Sequence, residues 1–254
     1  DIWGIGFTTA GRIALAVGIE KESLVRARAA IIHTLRTEAE DGGHCWTNEP
    51  DLLLHGQELV GISVEVLAQA LKDEVDEGRV VKDGDRLYLR ELHVAERRVV
   101  SRLKLLMASE QSFPKIDPDK AISWWEAKTG FTLAPAQIRA VRRSLEAKVS
   151  IVTGGPGVGK TTIIRALVEI FGARTGSHRI NVQLAAPTGR AAKRMTESTG
   201  APAQTLHRLL KYNPQTNEFS YNEENPLEGD VFIFDETSMV DIRLMSDLMA
   251  ALPR

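Results

Sequence analysis

Gly154-Gly155-Pro156-Gly157-Val158-Gly159-Lys160-Thr161-Thr162 fits the pattern G-x-x-x-x-G-K-[ST] of a loop that cradles phosphates. A short β-prone run, Ser150-Ile151-Val152-Thr153, leads in. A helical pattern leads out, with Ile163, Ile164, Leu167, Val168, Ile170 and Phe171 on one side. Glycines let the backbone close around an anion with its N–H groups pointing inward. The helix starting near Lys160 brings its positive end to the same anion. In such a loop Lys160 reaches the β- and γ-phosphates of a nucleotide and Thr161 ligates Mg²⁺. The alternative is a glycine-rich turn before an ordinary helix. Strand, loop, lysine, threonine and helix, all in order, argue against it.

Downstream, Val231-Phe232-Ile233-Phe234 reads as a hydrophobic strand that ends in Asp235-Glu236. A phosphate loop needs such a partner. At the strand's carboxyl end Asp235 can hold the Mg²⁺ hydration shell opposite Thr161, and Glu236 can polarise an attacking water as general base. Acidic pairs at strand ends are common. This one gains meaning from following the loop at a distance that fits two intervening strand–helix units.

Between the two lies Val182-Gln183-Leu184-Ala185-Ala186-Pro187-Thr188-Gly189-Arg190, a buried strand running into a loop and a basic helix start. Thr205-Leu206-His207-Arg208 adds further donors. Arg190 to Lys211 holds five basic residues and one acidic residue, Glu197. Hydroxyl, backbone N–H and guanidinium groups gathered in this way suit a nucleic-acid backbone, though a charge bias of this size is also what a solvated surface shows.

The chain has 254 residues, enough for one large domain or two smaller ones. Its 43% hydrophobic and 26% charged residues are those of a folded globular protein. The formal net charge of −2 is unevenly spread. Residues 1–130 carry 17 basic and 22 acidic side chains, and residues 131–254 carry 15 and 12, so the half with the phosphate loop is the positive one. The single cysteine, Cys45, excludes an internal disulfide and fits a reducing cytoplasm. It lies beside His44 and not far from His55, but the spacing matches no usual zinc pattern. No apolar run approaches membrane-spanning length and nothing reads as a signal peptide, so no membrane partner is expected.

The opening Ile2-Trp3-Gly4-Ile5-Gly6-Phe7-Thr8-Thr9-Ala10 reads as part of a helix-hairpin-helix over residues 1–22. In that motif the turn at Gly4 and Gly6 aims N–H groups at a nucleic-acid phosphate. A plain glycine turn between two core helices is the alternative. Residues 23–114 read as a helical region. It holds helices over Ser23–Glu40 and near Asp51–Leu54, a third behind Ser63 as N-cap, and a hairpin formed by Arg79-Val80-Val81 and Arg86-Leu87-Tyr88-Leu89. Helices followed by a hairpin resemble a winged helix. The acidic helix before it (Asp73, Glu74, Asp76, Glu77) favours packing over contact with nucleic acid. Phe113-Pro114-Lys115-Ile116-Asp117-Pro118 breaks the pattern and sets the expected boundary of a third region, 115–254. There strands and helices alternate, which predicts an α/β domain with a parallel sheet.

Taken together, "GGPGVGKTT", "AAPTGRAAKRM", "TLHRLL" and "VFIFDETSMVD" resemble the RecD-like (exodeoxyribonuclease V alpha subunit-like) family of superfamily 1 DNA helicases. The resemblance is strong over about residues 131–254 and looser over "GIGFTTAGRIA" and "GHCW". It departs from the family pattern at Gly11 and Thr237. It implies a RecA-like P-loop NTPase domain that uses ATP and Mg²⁺ to move 5′ to 3′ along single-stranded DNA and to unwind duplex from ss/ds junctions. By resemblance Gln137 in "LAPAQIRAV" reads adenine, Thr188 and Arg190 form one DNA-backbone motif, Thr205 and His207 the next, and Asp235 and Glu236 the metal and water-activating pair. Such a motor needs a second RecA-like domain, in cis beyond residue 254, to supply an arginine and the other wall of the DNA track. Alone, the chain is expected to bind nucleotide, hydrolyse it slowly and leave duplex closed. Two other functions stay open on sequence: a DNA-binding module with a vestigial nucleotide site, and a nucleotide-regulated switch that never translocates.

Overall fold

The computed structural model describes residues 6–110, 113–173 and 180–253. The chain divides into two compact units between Arg97 and Arg98, inside one helix. The break at residues 113–117 lies within the second unit, before α6, and its Phe113 and Ile116 pack on that unit's core.

The first unit is mainly helical. Helix α1, Phe7–Ala16, starts after Gly6, whose carbonyl accepts from the N–H groups of Thr9 and Ala10. Gly4 lies outside the described residues. Helix α2, Leu24–Gly42, begins at Ser23, whose hydroxyl accepts from Arg26 N, and ends at Gly43 in the left-handed region. Strand β1, Thr47–Asn48, leads into α3, Glu49–Val60, which is capped by Asn48 and runs well beyond the short helix expected. Helix α4, Val64–Asp76, starts at Ser63, but the serine hydroxyl makes no cap bond; the Glu22 carboxylate accepts from Ser63 N at 3.0 Å. Strands β2, Val80–Asp83, and β3, Arg86–Leu89, form the expected antiparallel hairpin, with Val80 opposite Leu89. β1 pairs with the free edge of β3 to give the order β1-β3-β2. Helix α5, Arg90–Ala108, then carries the chain across the division.

An ion cluster in the first unit centres on one buried carboxylate. Glu74 is buried, and its carboxylate accepts from Arg28 Nε at 2.7 Å and from Arg79 Nε at 2.6 Å. The guanidinium of Arg28 is held charged by its bonds to Glu77 and Glu74. A buried carboxylate is tolerable only with such partners.

The second unit is α/β. Helices α6, Pro118–Thr129, and α7, Pro135–Glu146, precede the phosphate loop, and α8, Lys160–Gly172, follows it. Strand β4, Val182–Ala186, leads to α9, Gly189–Thr199. A three-residue strand β5, Ala203–Thr205, and the short helix α10, Leu206–Leu209, come next. A small hairpin follows, made of β6, Tyr212–Asn213, and β7, Glu218–Phe219. Strand β8, Val231–Phe234, a 3-10 turn over Thr237–Met239 and helix α11, Ile242–Ala251, complete the unit. The sheet is parallel, in the order β5-β4-β8.

One expected strand does not form. Ser150–Thr153 is without assigned structure, and Ile151 is 83% exposed. A β-prone run becomes a strand only when a neighbouring backbone takes its hydrogen bonds, and this one has no place in the β5-β4-β8 ladder. The core lies on the α8 side of the sheet. Trp125, Val141, Leu145, Ile163, Leu167 and Phe171 pack there with Ile180, Val182, Val231 and Ile233. On the other side, Leu103 and Leu106 of α5 pack with Ala185, Leu206 and Leu248. Arg102 of α5 locks this layer. Buried to 6% exposure, it donates through Nε to Met249 O at 3.0 Å and through a terminal nitrogen to Leu252 O at 2.7 Å. It thereby satisfies the carbonyls that the last turn of α11 leaves unpaired.

Candidate active site

Helix α8, which follows the loop, packs on β4 and β8, the strands that lead to Thr188 and to the acidic pair. Phe171, at the end of α8, shares a hydrophobic cluster with Ile180, two residues before β4, and with Val182 and Val231, where β4 and β8 begin. Further back along α8, Val168 and Ile164 pack with Leu184 and Ile233. Lys160 and Thr161 open this helix, Thr188 follows β4, and Asp235 follows β8.

Lys160 folds over the loop, where its ammonium donates to Gly154 O at 2.5 Å and Gly155 O at 3.0 Å. Gly157 (φ 75°) and Gly159 (φ 85°) hold the left-handed turns that bend the loop. Pro156 begins the turn and Val158 is exposed at its crest. Thr161 is exposed and Thr162 half-buried, both in the first turn of α8, where Thr162 N donates to Gly159 O at 3.1 Å. A cation, a hydroxyl and a glycine-rich loop at the positive end of a helix are the donor set a triphosphate with Mg²⁺ requires, so these residues fit that ligand. Lys160 and Thr161 would hold the phosphates and the metal, and bound Mg²⁺ would supply neutralisation of phosphate charge.

Gln137 does something that the sequence did not announce. Its side-chain oxygen accepts from Ala134 N at 2.9 Å, which caps α7. Its amide nitrogen donates to Val158 O at 3.4 Å. The side chain expected to read adenine thus braces the phosphate loop from the first turn of a neighbouring helix.

Asp235 N donates to Ala185 O at 3.1 Å, and Asp235 Oδ1 accepts from Glu236 N at 2.9 Å. The pair is thereby fixed to the end of the sheet. Glu236 takes φ 52° and ψ 38°, a sparsely populated region for a side-chain-bearing residue. Its carboxylate lies 3.8 Å from a guanidinium nitrogen of Arg194, on α9. In the sequence Arg194 is marked only by its place four residues after Arg190 in a basic helix.

The threonines expected to meet nucleic acid are both helix N-caps. Thr188 Oγ1 accepts from Ala191 N at 3.2 Å, and Thr205 Oγ1 accepts from Arg208 N at 3.3 Å. Both are half-buried, and Arg190 is exposed. His207 is exposed beside the β6–β7 hairpin, with its ring 5.6 Å from Tyr212 and 5.8 Å from Phe219. With Arg208, Lys211 and Tyr212 it lines an open depression of about 560 Å³. Gly6 ends in the turn that opens α1, in the first unit. Among the described residues no helix is long and apolar enough to cross a membrane, and no three His, Cys, Asp or Glu side chains cluster as metal ligands.

The same residues carry the likeness to known proteins. Residues 137–254 match the model of an AAA domain, and residues 1–46 match that of the ATP-dependent RecD2 DNA helicase HHH domain. Over its whole length the chain is 30% identical to the ATP-dependent RecD2 DNA helicase of Deinococcus radiodurans, covering 36% of that protein. It is 37% identical to the RecBCD enzyme subunit RecD of Haemophilus influenzae over 44% of the chain and 21% of that protein. It is 35% identical to the ATP-dependent DNA helicase dda of phage T4 over 42% of the chain and 25% of that protein. The chain thus spans between about a fifth and just over a third of the length of these relatives.

Proposed function

The chain belongs to the RecD-like family of DNA helicases, and from that premise we propose that it forms the first ATPase domain and leading region of a motor in DNA recombination and repair. The motor acts in the cytoplasm. It moves 5′ to 3′ on single-stranded DNA and opens duplex at ss/ds junctions. The observation that supports this reading is that α8, which opens with the lysine-bearing loop, packs in shared hydrophobic clusters with β4 and β8, the strands that lead to Thr188 and to the acidic pair. Lys160 and the loop Gly154–Thr162 hold ATP, Thr161 and Asp235 hold Mg²⁺, and Glu236 takes the proton of the attacking water. Gln137 reads adenine with the second N–H and second lone pair of its amide, while its first N–H keeps the brace on Val158. Thr188, Arg190, Thr205 and His207 line the DNA backbone path, and the turn at Gly4 and Gly6 adds a second phosphate contact.

A second RecA-like domain supplies the remaining arginine. Such groups are worth on the order of 10³–10⁵ in rate in other phosphoryl-transfer systems, so the 254-residue chain alone hydrolyses ATP slowly and leaves duplex closed. The test is ATP turnover by the full-length protein with and without single-stranded DNA. Strong stimulation that Lys160→Ala abolishes, with DNA binding spared, supports the motor. DNA binding without turnover makes the chain a binding module, and turnover indifferent to DNA makes it a switch.

A further inference from the structure

Arg194 stands beside Glu236 at 3.8 Å, close enough to orient the carboxylate and too far for a strong hydrogen bond. Both side chains reach solvent, at 64% and 37% exposure, so this pair is weak and another anion can take the guanidinium. Glu236 is meanwhile held in an unusual backbone conformation, with φ 52°, of the kind that collects at functional sites.

The place of Arg194 on α9 supplies the competing anion. Arg190 and Arg194 are four residues apart and share one face of a helix whose amino end is capped by Thr188. Lys193, on an adjacent stripe, is engaged with Glu197 at 3.9 Å. A phosphate backbone that enters at the positive end of α9 meets Arg190 first and Arg194 one turn later.

On the reading given under Proposed function, we infer that Arg194 is a positioning residue that parks Glu236 away from the attacking water until nucleic-acid phosphate draws its guanidinium off. A carboxylate oriented toward a guanidinium on α9 is not oriented toward a water at the phosphates. Release of Arg194 lets the carboxylate turn, so turnover is coupled to occupancy of the DNA path through one side chain. The weakness of the pair is what permits exchange, because a buried ion pair of good geometry is not surrendered to a surface ligand.

The experiment uses the full-length protein and oligo(dT). In Arg194→Ala, ATP turnover without DNA rises by about two- to fivefold, the range that an exposed ion pair corresponds to. Turnover at saturating DNA stays at the parent value, so the stimulation ratio falls by the same factor. Arg194→Lys restores the low DNA-free rate, which a merely structural role for the arginine would not produce. The inference is overturned if Arg194→Ala leaves the DNA-free rate unchanged or lowers it. A separate variant, Glu236→Gln, keeps the two levels apart. If it retains turnover, the assignment of the general base fails. If it is inactive while Arg194→Ala leaves the DNA-free rate alone, only the coupling fails.

Discussion

Gly159→Ala concentrates two local costs on the phosphate loop. Gly159 sits at φ 85°, where an alanine is strained by about 1–2 kcal/mol. Its added Cβ would stand 2.2 Å from the side-chain nitrogen of Gln137, which must leave its place on Val158 O. Loss of that long hydrogen bond adds roughly 0.5–1 kcal/mol. If bound nucleotide requires the loop in this shape, the affinity for ADP falls by about 10- to 100-fold, at 1.4 kcal/mol per factor of ten. Gly157→Ala separates the two costs. Gly157 has φ 75°, and a Cβ added there would meet no atom within 4 Å, so it bears only the backbone strain. The assay is titration of a fluorescent ADP analogue across Gly157→Ala, Gly159→Ala, Gln137→Ala and the double variant at 137 and 159. In the Gln137→Ala background, Gly159→Ala should cost no more than Gly157→Ala does. Equal losses at 157 and 159 in the parent, or a Gly159→Ala affinity within a factor of two of the parent, would refute the reasoning.

Arg102→Met keeps the bulk of the side chain but leaves the last carbonyls of α11 unpaired; two good charge-assisted bonds are lost, and urea unfolding should show about 3 kcal/mol of destabilisation. Two carboxylates should respond to pH in opposite senses. Burial pushes Asp247 up, with Asp241 adding to the effect and Arg98 opposing it, so its penalty on the fold is absent in acid and grows as pH rises through the raised value. Asp247→Asn should therefore raise the melting temperature at neutral pH and not in acid. Burial also pushes Glu169 up, but hydrogen bonds from Arg165 and Lys128 and their charges outweigh it and hold the carboxyl low. Its contribution is present above the ordinary carboxylate range and is lost as pH falls through the lowered value, so Glu169→Gln should lower the melting temperature at neutral pH and lose its effect in acid.

Much of the fold is legible in the sequence because strong local signals meet no opposition. The run Val231–Phe234 and the periodic apolar side of α8 lie where periodicity puts them, and the turn at Gly84-Asp85 closes the β2–β3 hairpin. What stays hidden depends on partners distant in sequence. β5 is only three residues long, and nothing in Ala203-Gln204-Thr205 alternates; it exists because β4 offers an edge. The β6–β7 hairpin reads from sequence as part of a long loop, though Asn213-Pro214 and the left-handed Asn217 are turn chemistry. Ser150–Thr153 shows the reverse case, a β-prone run with no ladder to join. In the candidate site the loop and the acidic pair are readable from spacing. The brace from Gln137 to Val158 and the contact of Arg194 with Glu236 are not, because both arise from tertiary packing.

The shared pocket is tested most directly by metal binding to the ADP complex of the full-length protein, with Mn²⁺ as the paramagnetic substitute for Mg²⁺. Bound Mn²⁺ is counted by electron paramagnetic resonance in the parent, Thr161→Val and Asp235→Asn. Both substitutions should weaken Mn²⁺ binding, and Asp235→Asn, acting through the hydration shell, by about 10- to 100-fold. Retention of parent affinity in Asp235→Asn, with affinity lost in Thr161→Val, would mean that the acidic strand end and the phosphate loop serve different sites.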